Sequence, residues 1–163
     1  MSEFHLAYLN LGSNIQPEAN LPKAVELLSE FGEVLQISHV WESEPVGTTG
    51  NNYLNVCVKF KTSLEQSDVK GKIIRPIENQ LGRKRGEDKF APRSMDIDII
   101  LFDNVSINAD VWELAFVVVP LAEIYPEYQN PLTEEQIHET ATRLRRKVWL
   151  EARRGLLRPY EDF

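Results

Sequence analysis

The sequence predicts an α+β fold: a ferredoxin-like αβα sandwich with a mainly antiparallel sheet, flanking helices and an extra C-terminal helix. Three observations lead there. Apolar and polar residues alternate with period two in several short stretches, the mark of strands with one buried face. Two intervening stretches, Leu21 to Phe31 and Leu64 to Leu81, carry apolar residues at helical spacing. The resulting order, β-α-β-β-α-β with additions, sets two helices against one face of an antiparallel sheet.

Leu6 to Leu11 reads as the first strand and ends at Gly12-Ser13-Asn14, which has the composition of a tight turn. Asn20 is placed to cap a helix from Leu21 to Phe31, with Ala24, Val25, Leu27 and Leu28 as its apolar stripe and Gly32 at its end. Val34 to Trp41 is a second strand, and the Pro-, Gly- and Thr-containing stretch Ser43 to Asn52 is a loop. From Asn52 to Thr62 the alternation is regular. Tyr53, Asn55, Cys57 and Lys59 fall on one face, and Leu54, Val56, Val58 and Phe60 on the other. Leu64 to Leu81 is a helix closed by Gly82, with a bend expected at Pro76. Met95 to Phe102 is a strand, and Asp103-Asn104 turns the chain into a short strand at Val105 to Ile107. Pro120 opens a short helical segment, Leu121 to Ile124. The last helix is expected to begin at Thr133, with Gln136 as the return partner of a capping box, and to run to about Arg154.

At roughly 100–200 residues per domain, the chain is expected to form one domain over 1–163, with 133–163 a basic helical extension. The net charge of −7 argues against a general nucleic-acid binder. No apolar run is long enough to span a bilayer, and the first residues lack the pattern of a secretory signal. A single cysteine, Cys57, sits in a strand and reads as a core residue. A reducing, cytoplasmic setting is the expectation. Positive charge is concentrated in Arg83 to Arg93 and in the C-terminal stretch from Arg143.

The chemistry concentrates in Arg83 to Phe102. Asp96 and Asp98 alternate with Met95, Ile97 and Ile99, so the two carboxylates share a strand face. Side by side they repel unless a cation lies between them. Oxygen ligands beside guanidinium groups suit a hard divalent ion holding a polyphosphate. The alternative for this stretch is a salt-bridged surface strand. The chain has no Gly-x-x-x-x-Gly-Lys-Ser/Thr and no Gly-x-Gly-x-x-Gly loop. His5, His39 and His138 lack metal-ligand spacing, and Ser13 has no base nearby in the sequence. Arginines plus paired aspartates fit phosphoryl transfer, where a protein mainly positions groups and neutralises charge. A nucleotidyltransferase reading is weakened by the long separation of Gly12-Ser13 from Asp96.

Six blocks then occur in order: Leu11-Gly12-Ser13-Asn14, Ser43-Glu44-Pro45-Val46-Gly47, Tyr53-Leu54-Asn55, Leu81-Gly82-Arg83-Lys84-Arg85, Pro92-Arg93-Ser94-Met95-Asp96-Ile97-Asp98, and Phe116 through Ile124. Over about Ala7 to Pro126 the chain resembles the 6-hydroxymethyl-7,8-dihydropterin pyrophosphokinases of folate biosynthesis. The resemblance implies one pterin pyrophosphokinase-like domain. It implies transfer of pyrophosphate from ATP to the hydroxymethyl group of a reduced pterin, with release of AMP. It implies two Mg2+ ions held by Asp96 and Asp98, and Arg83 and Arg93 on the transferring phosphates. On the nucleotide side it places Arg75, Glu78, Arg85, Phe90 (where the family usually has Trp) and Ile99. On the pterin side it places Tyr53 and Phe116 as aromatic walls, Asn55 as the reader of the ring edge, and Ser43 and Val46 as the closing loop. Implied partners are ATP and the reduced pterin, with no nucleic acid and no membrane, in a monomer or weak homo-oligomer.

The chain also departs from that pattern. Between Asn108 and Phe116 it lacks the family's Pro-His pair, and Leu114 stands where an Arg is expected. Arg75 replaces a common Gln, and Arg143, Arg145 and Arg146 are candidates to restore the missing charge. Two alternatives to an active pterin pyrophosphokinase follow: a catalytically impaired pterin- or nucleotide-binding paralogue, and a pyrophosphokinase with another small alcohol acceptor.

Overall fold

The structure, a computed structural model, describes residues 3–45, 50–82 and 94–157. Its strands are β1 (His5–Ser13), β2 (Glu33–Ile37), β3 (Val40–Ser43), β4 (Tyr53–Thr62), β5 (Asp96–Phe102), β6 (Val105–Ser106) and β7 (Leu150–Arg153). They form one sheet in the order β6-β5-β1-β4-β3-β7, and β2 also pairs with β4. All the pairings described are antiparallel.

Alternation along the strands sorts the side chains into two layers. Ala7, Leu9 and Leu11 of β1, Leu54, Val56, Val58 and Phe60 of β4, and Ile97 and Ile99 of β5 face one side. There they meet Leu21, Ala24, Val25 and Leu28 of α1 (Pro17–Phe31). They also meet Ile73, Ile74 and Ile77, from a π-helical segment (Val69–Ile74) and the short α3 (Arg75–Gln80) that continues it. The three-residue α2 (Gln66–Asp68) leads into the π segment. On the opposite side, Tyr8, Trp41, Cys57, Ile100 and Leu101 pack under α4 (Ala115–Ile124) and α5 (Ile137–Arg145).

Several boundaries differ from the sequence reading, each for a local reason. The expected strand from Val34 to Trp41 is two strands. Ser38 sits between them, and its amide donates to Cys57 O while its hydroxyl accepts from Cys57 N–H, both at 2.9 Å. A side chain thus substitutes for one backbone rung. α1 starts at Pro17, a residue suited to the first turn because it has no donor to lose. Asn20 lies inside that helix and donates to Ile15 O at 2.7 Å. The bend expected at Pro76 is absorbed by the π segment, in which Arg75 N–H donates to Lys70 O, and Pro76 falls in the first turn of α3. Pro120 lies within α4 rather than opening it.

The C-terminal region needs the largest correction. Thr133 does not begin the last helix, because Glu134 has φ +66° and breaks any helical path there. The helix starts at Ile137 with Gln136 as its cap, and Glu139 supplies the reciprocal bond of the capping box. It ends at Arg145 rather than Arg154. Leu150–Arg153 instead forms β7, pairing Leu150 with Ser43 and Arg153 with Val40. The open edge of β3 offers unpaired backbone groups, and this segment satisfies them.

Candidate active site

Under α4 and α5 their face of the sheet presents Tyr8, Cys57, Ile100 and Leu101. At the other end, the register lines up a polar row across four strands. Trp41 of β3 lies opposite Asn55 of β4, Asn55 opposite Gly12 of β1, and Gly12 opposite Asp96 of β5. Directly opposed residues in antiparallel strands project to the same face. With strands about 4.8 Å apart, Asn55 and Asp96 stand on the order of 10 Å from each other, with only a glycine between them.

That glycine is a spatial requirement. A Cβ on Gly12 would lie 3.0 Å from Asn55 Oδ1 and 3.8 Å from Tyr53 Cδ1. Gly12 therefore gives the Asn55 amide its seat. Asn55 is 2% exposed, and its Nδ2 donates to Ser43 Oγ at 2.8 Å and to Trp41 O at 3.4 Å. The two polar residues expected on the heterocycle side are thus bonded to each other, which fixes the amide's orientation. Tyr53 is half-buried at the start of β4. Phe116, near the N-terminus of α4, lines a cavity of about 500 Å³ with Ser43, Pro45 and Leu114. Trp149 and Leu150, expected from the sequence to be helical, complete one wall of that cavity.

On the other side of Gly12, Asp96 and Asp98 alternate with buried Ile97 and Ile99, so the carboxylates share a face as expected. Asp98 is exposed and lines a second cavity, about 750 Å³, with Ile99, Lys70, Gln66 and Asn108. Among the described residues no group of three or more His, Cys, Asp or Glu is placed to hold a metal. The donor set fits Mg2+ nevertheless. That ion is bound by one or two carboxylates plus substrate phosphates and retained waters. Two buried oxygens near the carboxylates, Asn10 Oδ1 and Ser94 Oγ, have no hydrogen-bond partner among the described residues.

Glu78 is 2% exposed, and its Oε2 accepts from Ile97 N–H at 2.9 Å. It ties α3 to the strand that carries the aspartates. Arg75 lies exposed at the start of α3. Arg143 is held by Glu113 and Glu135, with nitrogen–oxygen distances of 3.2 and 2.6 Å, and the Arg145 guanidinium lies 4.9 Å from the Trp41 ring centre. These contacts join α5 to β3 and to Glu113 and Glu135 rather than to the aspartate strand. Cys57 is buried next to this face, and burial pushes its thiol up, so it stays protonated. Val46, Arg83, Arg85, Phe90 and Arg93 lie outside the described residues.

Sequence reasoning misses Asn10 and Trp149. Asn10 has a visible signal, a carboxamide between two leucines in an otherwise apolar strand. Trp149 has none, since its placement depends on β7 returning to β3.

Known proteins resemble this chain in sequence and in fold. The family model described as 7,8-dihydro-6-hydroxymethylpterin-pyrophosphokinase (HPPK) matches residues 8–126. A Bacillus subtilis protein named 2-amino-4-hydroxy-6-hydroxymethyldihydropteridine pyrophosphokinase is 34% identical over 152 residues, covering 86% of this chain and 90% of that one. A protein of the same name from Aquifex aeolicus is 36% identical over 142 residues, covering 81% and 88%. Among solved structures, Plasmodium falciparum HPPK-DHPS with pteroate superposes with a TM-score of 0.67 at 14% identity. That match covers 88% of this chain and 43% of the other, so this chain spans less than half the length of that protein and the likeness concerns the fold. With the family model covering most of its length and these relatives aligned nearly end to end, the chain belongs to the 7,8-dihydro-6-hydroxymethylpterin-pyrophosphokinase family.

Proposed function

We propose that this protein transfers the terminal pyrophosphoryl group of ATP to the hydroxymethyl group of 6-hydroxymethyl-7,8-dihydropterin, giving AMP and the pterin diphosphate. The observation that carries this reading is the row Asn55–Gly12–Asp96, which sets an oriented amide and a carboxylate on one face of the sheet. The span of about 10 Å between them accommodates a flat bicyclic ring with its hydroxymethyl arm towards the aspartates.

In this reading Tyr53 and Phe116 flank the ring, and Asn55, locked by Ser43, reads its donor and acceptor edge. Triphosphate lies along the Asp98 side, with Ile99 against the base in the larger cavity. Asp96 and Asp98 would hold two Mg2+, which when bound neutralise charge on the phosphate oxygens. The hydroxymethyl oxygen forms a bond to the β-phosphorus, the bond from that phosphorus to the oxygen bridging the α-phosphate breaks, and AMP leaves with that oxygen. The hydroxyl proton is released as the new bond forms. The protein contributes orientation and preset charge, the two things on which phosphoryl transfer chiefly depends.

The test is direct. Protein mixed with ATP, Mg2+ and the reduced pterin should release AMP, and omission of the pterin should stop it. Nucleotide binding without AMP would replace this reading with that of a binding paralogue. AMP formed only with a different alcohol would change the acceptor.

A further inference from the structure

We propose that Asn10 is a positioning residue of the cation site, its side-chain oxygen accepting from water bound to the divalent ion held at Asp96 and Asp98. The inference rests on the reading of those two aspartates given above.

Asn10 lies between Leu9 and Leu11, whose side chains enter the apolar layer under α1. Its own side chain therefore projects to the opposite face. There the register sets it directly across from Asp98 on one side and Cys57 on the other. It is 5% exposed, and its Oδ1 has no hydrogen-bond partner among the described residues. A buried amide oxygen without a donor is a cost that an apolar residue would avoid, and the same face beyond it is apolar, with Tyr8, Cys57 and Ile100. The position thus bears an acceptor that none of the described residues serves.

What the oxygen lacks is a donor, and its neighbour across the strand pair, Asp98, is a carboxylate that is also an acceptor. Two oxygens on adjoining strands can be served together by a cation carrying water, because the ion satisfies one and its water donates to the other. The described residues provide no third carboxylate, histidine or thiolate to complete a cluster. Mg2+ keeps several waters in such a site, and an outer acceptor that orients one of them affects affinity by about 10–100-fold.

The experiment measures Mn2+ binding by the paramagnetic resonance signal of the free ion, in the presence of α,β-methylene-ATP, for the whole protein. Asn10→Leu keeps the volume and removes the oxygen. Mn2+ affinity should fall about tenfold, while the melting temperature without metal stays the same or rises. Asn10→Asp, which restores an oxygen, should bind at least as tightly as the unaltered protein. If Asn10→Leu does not fold, Asn10→Ala serves the same comparison. Unchanged Mn2+ affinity in Asn10→Leu, alongside a loss in Asp98→Ala, would overturn the role of Asn10 and leave the aspartate site standing. Unchanged affinity in Asp98→Ala as well would remove the aspartate site, and this inference with it.

Discussion

The two faces of the same three strands carry opposite chemistry. On β1, Leu9 and Leu11 are wholly buried under α1, while Asn10 and Gly12 between and beside them face the side that carries Asp98 and Asp96. On β4, Val56 opposes the polar Asn55, and on β5, Ile97 opposes Asp96 and Asp98. The apolar face is closed by α1 and by the π segment with α3, and it supports the fold. The other face packs under α4 and α5 at Tyr8, Cys57, Ile100 and Leu101, and it also carries the row Asn55–Gly12–Asp96. Strands rigid on one side can thus hold charged groups in register on the other, because the pleat couples them at every second residue.

Substitutions on either side of one strand pair should separate the two roles. Asp98→Ala is expected to reduce AMP formation at least about a hundredfold, with the melting temperature nearly unchanged. Leu9→Ala is expected to do the converse. It should cost about 2–5 kcal/mol in urea unfolding and leave turnover per folded molecule close to normal. Comparable losses of turnover in both would show that the faces are not separable.

A smaller effect tests the row between the two proposed ligand regions. Gly12→Ala brings a methyl group to 3.0 Å from Asn55 Oδ1 and must displace that amide. The KM for the pterin should rise about tenfold, with the KM for ATP unaffected. An equal rise for both would mean that Gly12 serves the strands generally rather than the heterocycle side.

The smallest effect lies at the remote end of the sheet. Asp103 Oδ2 sits 2.6 Å from His5 Nδ1 and holds the imidazole above its ordinary value of 6.5. His5 in turn, with Leu6 N–H, holds the Asp103 carboxyl below its usual range. A raised histidine contributes stability that is fully present below pH 6.5 and is lost as pH rises through the folded-state value. His5→Gln should therefore lower the melting temperature more at about pH 6 than at about pH 9, while AMP formation at a fixed pH stays the same. A pH-independent difference would assign His5 to its contact with the Phe102 ring instead, whose centre is 5.0 Å away.

Much of this was legible in the chain. The alternation from Tyr53 to Phe60 and from Met95 to Ile99 sorted side chains into the faces that the structure shows. The Asp103-Asn104 turn was legible too, since both residues take the positive φ that a two-residue hairpin demands. The C-terminal region was not. Residues 146–153 carry no strong period of either kind, and only the unpaired edge of β3 makes Leu150–Arg153 a strand. Arg153 then meets Glu42 at 2.6 Å, a contact across most of the chain that no local pattern encodes.

By itself, then, the sequence determined which residues alternate, where the turns fall, and that Asp96 and Asp98 share a face, because these follow from backbone geometry within a few residues. Only the tertiary structure decided that Gly12 stands between Asn55 and Asp96, that Asn10 keeps an unserved oxygen beside Asp98, and that Trp149 walls the smaller cavity. Those facts depend on register between strands distant in the chain, which is set by the packing of whole layers.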